Sequence, residues 1–221
     1  MSITDEKEVN RMQKLKTAII DIGSNTIRLA MYQYDKDEGL HEFDNIKTVA
    51  RLRTHLLPSG EMSEEGIRTL AETLVSFKQI LEDYGVTDIQ TVATAAVRQA
   101  SNNEQIVKKM KEESGIKIDI LSEEEEAYFG FLAVVNSMDT PSAVTIDIGG
   151  GSTEITLFKN KKLLKTHSFP FGTVSLKQKF VNGAIANANI DKTTKEILEN
   201  LHKLPEVEVK KNSVKEAFTP A

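Results

Sequence analysis

Hydrophobic and polar residues alternate along the chain in a pattern that occurs twice. In each copy an apolar strand ends near an aspartate, a turn of small residues follows, and a second apolar strand begins. The first copy predicts strands at Thr17–Ile22 and Ile27–Tyr34, and the second predicts strands at Ala143–Ile148 and Thr153–Phe158. Short apolar runs bounded by Gly, Ser and Asn are typical of β-strands joined by turns, so each copy predicts a β-hairpin.

The two copies are separated by about one domain length. Their aspartates, Asp21 and Asp147, lie 126 positions apart, which is far longer than the period of about 20–50 residues found in solenoid repeats. The spacing therefore predicts two lobes, each with a carboxylate and a turn rich in backbone N–H groups. We expect the two turns to face each other across a cleft that suits a phosphate chain and its metal ion.

Helical and strand periods alternate through the rest of the chain. Apolar residues recur at helical spacing up to Tyr84, with Ser63 as a good N-cap and Gly85 as a good stop. The other predicted elements are strands at 41–52, 89–93, 116–121 and 163–169, and helices at 103–115 (capped by Asn103), 123–136, 174–180 and 192–202. This order predicts an α/β class in which one kind of lobe is built twice.

The predicted organisation has three parts. Residues 1–16 are a polar, flexible lead-in, residues 17–138 form the first lobe, and residues 139–221 form the second. The second lobe is expected to be partial, because residues 182–221 carry few apolar runs and supply no equivalent of its C-terminal part.

Composition narrows the class of protein. The 221 residues are 39% hydrophobic and 28% charged, with a net charge of −5 and no cysteine. The absence of cysteine excludes disulfides, a thiolate nucleophile and a Cys-based zinc site, and the four histidines show no metal-ligand spacing. We expect a cytoplasmic protein that binds neither nucleic acid nor membrane, because the charge is unfavourable for both and no apolar run has the length of a signal core or membrane span.

The two turns carry the chemistry of anion binding. Gly23 allows a tight turn, and Ser24 and Asn25 add polar side chains to it. Successive backbone N–H groups in such a turn form a nest for phosphate oxygens. A plain hairpin turn is the alternative for one copy alone, and the second copy makes a ligand site the better explanation. The phosphate-binding candidates in the second turn are Gly149, Gly150, Gly151, Ser152 and Thr153.

Acidic residues beside the turns suit a hard cation. Asp147 and Glu154 flank the second turn, and Mg²⁺ commonly takes one or two carboxylates together with water and phosphate oxygens. Asp21 is the corresponding candidate at the first turn. Glu154 could instead be a solvent-facing strand residue.

Two further segments offer catalytic groups. Ser122 and Glu125 have the spacing of a helix capping box, while any one of the four glutamates at 123–126 could orient or deprotonate water; the residues alone do not choose among them. Arg98 lies in a small-residue loop that follows a predicted strand, and its guanidinium suits phosphate, although most arginines lie on the surface. Arg51 and Arg53 are weaker candidates of the same kind.

Five segments together resemble the exopolyphosphatase / guanosine pentaphosphate phosphohydrolase family, within the sugar kinase–actin–Hsp70 fold group. The resemblance runs from about Thr17 to Phe180. The segments are Ile20–Thr26, Val92–Ala100, Leu121–Ala127, Ile146–Glu154 and Phe171–Ser175. It implies two actin-like (ribonuclease H-like) lobes with a central cleft, the second apparently incomplete.

The resemblance also implies a reaction: Mg²⁺-dependent release of terminal phosphate from inorganic polyphosphate or guanosine pentaphosphate. The family's catalytic glutamate stands directly before an alanine, a position that Glu126 occupies here. Arg98 and both turns match the family's phosphate-binding positions, and Asp147 and Glu154 match its metal-associated acids. Guanosine tetraphosphate is a further expected ligand, and a homodimer is a possible assembly, since the family often dimerises.

One departure from the family keeps other functions open. The family's second lobe continues with a later Gly-Gly-Thr-type segment, which is not found here, so the chain is expected to be a fragment or a short form that could bind weakly or be inactive. A non-catalytic alarmone or nucleotide sensor is therefore the main alternative. An actin-like ATPase or sugar kinase is a third, which the Val92–Ala100 and Leu121–Ala127 segments disfavour.

Overall fold

The computed structural model describes residues 15–181, which form two compact units that meet in sequence at Glu126 and Ala127. The elements of the first unit are β1 (Leu15–Ile22), β2 (Thr26–Asp35), β3 (Gly39–Val49), a 3₁₀ helix (Leu52–His55), α1 (Glu64–Asp83), β4 (Asp88–Ala93), α2 (Ala95–Arg98), α3 (Asn103–Ser114), β5 (Asp119–Ile120) and the start of α4 (Glu123–Ser137). The second unit contains the rest of α4, then β6 (Ala143–Ile148), β7 (Thr153–Lys159), β8 (Lys162–Phe169) and α5 (Thr173–Val181).

The first unit is built on a five-stranded sheet in the order β3-β2-β1-β4-β5. Strands β1, β2 and β3 pair antiparallel as a meander, whereas β4 runs parallel to β1 and β5 parallel to β4. A sheet whose later strands are connected by helices belongs to the class that the alternating sequence periods predict. The α/β class is therefore confirmed.

One face of this sheet forms the core. Ala18, Ile20 and Ile22 alternate along β1 and are each fully buried, because successive side chains of a strand point to opposite faces. They belong to the same apolar cluster as Leu70 and Leu74 of α1. Each buried Ile or Leu side chain among them contributes about 1.5–3 kcal/mol of hydrophobic stabilisation, which anchors the end of β1 where the first turn begins.

Helix α1 begins and ends where the sequence predicts. The Ser63 hydroxyl accepts a hydrogen bond of 3.3 Å from the Gly66 N–H, so the predicted N-cap is confirmed. Tyr84 is the C-cap residue, and Gly85 follows with a φ of +67°, a conformation that glycine adopts without steric penalty.

Three local predictions are wrong. The strand predicted at 41–52 ends at Val49, because the backbone of the following residues turns away to hydrogen-bond with the first turn. The strand predicted at 116–121 is only Asp119–Ile120, which pairs with the last two residues of β4. Helix α3 has Asn102 as its N-cap residue rather than Asn103.

The second unit repeats the hairpin in the same register. Strands β6, β7 and β8 form an antiparallel sheet in that order. Asp147 lies opposite Glu154 across β6 and β7, as Asp21 lies opposite Arg28 across β1 and β2. Phe131 of α4 packs edge-on against Phe158 of β7, with ring centroids 5.4 Å apart.

The two hairpins differ in how far the apolar side chains of their first strands are buried. Val144, Ile146 and Ile148 of β6 are the equivalents of the three buried core residues of β1, yet they are 52%, 62% and 60% exposed. Within residues 15–181, β6 pairs only with β7. The predicted helix at 192–202 and most of the predicted lead-in lie outside the described residues. No helix in the part of the chain that the structure describes has the length and apolar character needed to cross a membrane.

Candidate active site

The first turn connects β1 to β2 through a tight backbone contact. The Gly23 N–H donates to the Thr26 carbonyl at 3.0 Å. A Cβ atom at Gly23 would lie 2.9 Å from that carbonyl oxygen, so the turn needs glycine at this position.

The segment after β3 holds the outer edge of this turn. The Arg53 N–H donates to the Ser24 carbonyl at 2.9 Å, and the Arg51 N–H donates to the Asn25 carbonyl at 2.8 Å. In a trans peptide the carbonyl and the following N–H point in opposite directions, so the Asn25 N–H points away from this segment. The N–H groups of Ser24 and Asn25 have no hydrogen-bond partner within residues 15–181, which leaves them available to an anion.

The Ser24 side chain adds a third unused donor. Ser24 is 5% exposed, and its hydroxyl is buried without a hydrogen-bond partner. A buried polar atom left unpaired usually costs about 1–3 kcal/mol. A ligand oxygen at this turn would satisfy it, in agreement with the predicted phosphate-binding role of Ser24.

Arg98 and Glu126 lie together, as the sequence could not show. One guanidinium nitrogen of Arg98, Nη1, donates to Glu126 Oε2 at 2.8 Å and to the Leu121 carbonyl at 2.9 Å. The other nitrogen, Nη2, is buried without a partner among the described residues. One arm of the guanidinium fork therefore orients the acid, and the second arm is available to bind an oxyanion. Arg98 lies on the single-turn helix α2, whereas we expected a loop.

The four glutamates divide their roles. The Ser122 N–H donates to Glu125 Oε2 at 2.8 Å, and the Glu125 N–H donates to the Ser122 hydroxyl at 3.1 Å. This reciprocal pair confirms the capping box. The next residue, Glu126, is the glutamate that contacts Arg98. The cap and the ion pair thus fall on neighbouring residues, Glu125 and Glu126.

Arg53 is better placed than its sequence pattern indicates. Its backbone is bonded to the first turn, and its Nη1 donates to the side-chain oxygen of Gln99, the neighbour of Arg98. Burial lowers the pKa of the Arg53 guanidinium. Arg51, which precedes the 3₁₀ helix, has a φ of 50° in the left-handed region, a strained conformation of the kind that often marks a functional site. Sequence reasoning missed Gln99 and the 3₁₀ turn because no local periodicity marks either of them.

The second turn has the same closing bond as the first. The Gly149 N–H donates to the Ser152 carbonyl at 3.0 Å. Helix α5 holds the carbonyls of this turn: the Thr173 N–H donates to Gly149 at 2.9 Å, and the Val174 N–H donates to Gly150 at 2.9 Å. Because these carbonyls face α5, the following N–H groups point away from it.

The N–H groups of Gly150 and Gly151 have no partner within residues 15–181. They are therefore available to an anion, and their phosphate-binding role stays a prediction. The Thr153 hydroxyl is not part of this set of donors, because it donates to the Phe171 carbonyl at 2.8 Å. Thr153 therefore fixes the segment before α5, although we expected it to bind phosphate.

Gly172 sets how closely α5 approaches the turn. A Cβ atom there would lie 2.4 Å from the Gly149 oxygen, 2.7 Å from the Gly150 carbonyl carbon and 2.8 Å from the Gly151 nitrogen. These distances are well below van der Waals contact. The sequence predicts a helix at 174–180 and assigns no role to Gly172, and the structure shows the Phe171–Ser175 segment as the support of the second turn.

Two carboxylates stand next to the second turn. Asp147 is exposed and Glu154 is 6% exposed, and they are direct cross-strand partners. The Ser168 hydroxyl donates to Glu154 Oε1 at 2.8 Å. Across residues 15–181, no group of three or more His, Cys, Asp or Glu side chains is placed to hold a metal ion. Two carboxylates are too few for an all-protein cage, so a hard cation held by this pair would be completed by water and phosphate oxygens.

Asp21 has a different environment from Asp147. It is exposed on β1 opposite Arg28, whose guanidinium donates to Asn45 and Glu42. Across residues 15–181, Asp21 belongs to no group of three or more His, Cys, Asp or Glu side chains that could hold a metal ion. Its predicted metal role stays a prediction.

Comparison with known proteins shows which family and which relatives this chain is similar to. The model of the Ppx/GppA phosphatase family matches residues 33–219. The chain is 32% identical over 185 residues to a guanosine-5′-triphosphate,3′-diphosphate pyrophosphatase of Pseudoalteromonas translucida, covering 83% of this chain and 37% of that protein. It is 27% identical over 169 residues to exopolyphosphatase 1 of Mycobacterium tuberculosis, covering 76% and 49%.

A solved structure agrees with these relatives. The Aquifex aeolicus member of the Ppx/GppA family superposes with a TM-score of 0.68 at 28% identity, covering 87% of this chain and 63% of that one. The chain thus spans between about a third and a half of the two sequence relatives.

Proposed function

This chain belongs to the Ppx/GppA phosphatase family, and on that premise we propose that it hydrolyses the terminal phosphoanhydride bond of inorganic polyphosphate or guanosine pentaphosphate. The observation that carries the proposal is the Arg98–Glu126 pair. It joins an acid that can act on water to a guanidinium with an unused, buried arm. Both groups are needed at one place to transfer a phosphoryl group to water.

The two turns supply the phosphate-binding groups. In the first unit, the unpaired N–H groups of Ser24 and Asn25 and the Ser24 hydroxyl bind phosphate oxygens. In the second unit, the unpaired N–H groups of Gly150 and Gly151 and the Ser152 hydroxyl bind phosphate oxygens. Preorganised backbone donors of this kind stabilise the charge that develops on a transferring phosphoryl group. Asp147 and Glu154 hold Mg²⁺, which neutralises phosphate charge when it is bound.

Glu126 performs the chemical step. Its carboxylate orients a water molecule and accepts its proton as the water oxygen bonds to the terminal phosphorus. The bond from that phosphorus to the bridging oxygen breaks, and the shortened phosphate chain leaves. Arg98 keeps the Glu126 carboxylate in place with Nη1 and binds a terminal phosphate oxygen with Nη2.

The test is phosphate release by the parent chain and by Glu126→Gln, from long-chain polyphosphate and from guanosine pentaphosphate, with Mg²⁺ and with EDTA. Loss of a general base typically lowers the rate by about 10²–10⁴-fold, so we expect release to fall by that factor while substrate binding persists. Glu124→Gln is the matched control, because Glu124 is exposed on the same helix turn.

Phosphate release and ligand binding, measured together, distinguish a hydrolase from a non-catalytic sensor. Unchanged release by a folded Glu126→Gln variant would contradict the assigned role. Tight guanosine tetraphosphate or pentaphosphate binding without release, in the parent chain, would favour the sensor alternative. A cytoplasmic location, a homodimer and the lack of a nucleic-acid partner stay predictions.

A further inference from the structure

Asp147, Glu154 and Ser168 form one row across the second sheet. Asp147 is the register partner of Glu154 on β7, and Glu154 is the register partner of Ser168 on β8. Direct cross-strand partners have Cβ atoms about 4.5–5.5 Å apart on the same face. The exposed acid, the buried acid and the hydroxyl are therefore neighbours in that order.

Without a cation, the placement of Asp147 directly opposite Glu154 costs free energy. Like charges directly opposite each other destabilise a sheet, and Glu154 is additionally removed from water. Removing a carboxylate from water costs free energy unless it is hydrogen-bonded or paired. No salt bridge from either acid to a cationic side chain is found within residues 15–181, and the Ser168 hydroxyl is the described side-chain donor to Glu154. A cation beside Asp147 and Glu154 would relieve both penalties.

The next row of the same face shows the arrangement without acids. Thr156 of β7 and Thr166 of β8 are register partners, and their hydroxyl oxygens lie 3.1 Å apart in a hydrogen bond. The same strands therefore carry a hydroxyl pair in which neither hydroxyl is bonded to a carboxylate. Ser168 differs from Thr166 because its partner is a buried carboxylate.

We propose that Ser168 is the positioning residue for a divalent-cation site made by Asp147 and Glu154. Its hydroxyl donates a hydrogen bond to Glu154 Oε1 and so fixes the rotamer of the carboxylate. The other carboxylate oxygen, Oε2, then binds the cation. The inference rests on the proposed function, because the cation is the Mg²⁺ of that reaction. Groups that orient a metal ligand typically change metal affinity by about 10–100-fold when they are removed.

Binding of Mn²⁺ tests this without reference to hydrolysis. Mn²⁺ is the probe because its free and bound forms are distinguished by electron paramagnetic resonance. The side chains of Val and Thr have nearly the same shape, and only Thr keeps a hydroxyl, so Ser168→Val and Ser168→Thr differ mainly in that group. We expect Ser168→Val to raise the Mn²⁺ dissociation constant by about 10-fold, and Ser168→Thr to restore it towards the parent value.

Thr166→Val is the matched control, because it removes a hydroxyl from the same strand and face without touching Glu154. An unchanged dissociation constant in this variant supports the proposal. Equal weakening by Thr166→Val and Ser168→Val overturns it, since both would then act through the sheet. No difference between Ser168→Val and Ser168→Thr also overturns it.

Failure of the inference is distinguishable from failure of the proposed function. If the parent chain binds no Mn²⁺, the cation site is wrong and the inference is overturned, whatever the rate of phosphate release. If Mn²⁺ binds as expected and no phosphate is released from either substrate, the inference stands and the hydrolase proposal does not.

Discussion

Gly172→Ala is the sharpest test of how α5 supports the second turn. The added methyl group would lie 2.4 Å from the Gly149 oxygen, with two further backbone atoms of the turn within 2.8 Å. Backbone atoms cannot rotate aside as a flexible side chain can, so α5 and the turn must separate. Overpacking of this kind costs about 1–3 kcal/mol, and a loss of 1 kcal/mol lowers Tm by about 2–4 °C in a chain of this size.

Separation of α5 from the second turn should also impair phosphate binding at that turn. The Thr173 and Val174 N–H groups hold the carbonyls of Gly149 and Gly150, and these bonds set the direction of the N–H groups that face phosphate. Misplacement of a binding group by about 1 Å can lower turnover by about 10²-fold. We therefore expect Gly172→Ala to lower both Tm and phosphate release, measured by calorimetry and by phosphate assay on the same preparation.

Gly130→Ala is the matched control. Gly130 lies in α4, and a Cβ atom there would meet nothing within 4 Å. The replacement should stabilise the helix by up to about 1 kcal/mol through propensity and leave phosphate release unchanged. The reasoning is refuted if Gly172→Ala behaves like Gly130→Ala in both measurements.

Three further predictions follow from single contacts. Arg98→Ala leaves the Glu126 carboxylate without its guanidinium and should lower the free energy of unfolding by about 1.5–3 kcal/mol, measured by urea denaturation; an unchanged midpoint would contradict the pairing. Ser122→Ala removes the cap of α4 and should destabilise by about 1 kcal/mol with phosphate release unchanged, so a loss of release would show that the cap does more. The hydrogen bond from Tyr84 to Asp44 raises the pKa of the Tyr84 phenol, so the stability that this bond contributes is present below about pH 10 and is lost as pH rises further. The urea midpoint of the parent chain should therefore fall between about pH 9 and 11, and Tyr84→Phe should make this fall less steep. An equally steep fall in Tyr84→Phe would disprove the role of this bond.

The sequence alone predicted the elements that depend on neighbours along the chain. The hairpins around Gly23 and Gly149 follow from alternation and turn residues, and the Ser63 cap of α1 follows from helical period. The capping box of Ser122 and Glu125 has the same origin, since its partners are three residues apart. Such features are local, because nearby residues determine which backbone conformations are sterically and energetically favourable.

The tertiary structure decided which of these residues meet. Glu126 contacts Arg98 across 28 positions of sequence, and neither apolar periodicity nor residue spacing predicts that contact. The carbonyls of Gly149 and Gly150 are held by residues that follow β8, and those of the first turn by residues that follow β3. Ser168 meets Glu154 only because the register of β7 and β8 places them opposite each other. These contacts depend on how strands align and how closely backbones approach, which the pattern of apolar positions does not specify.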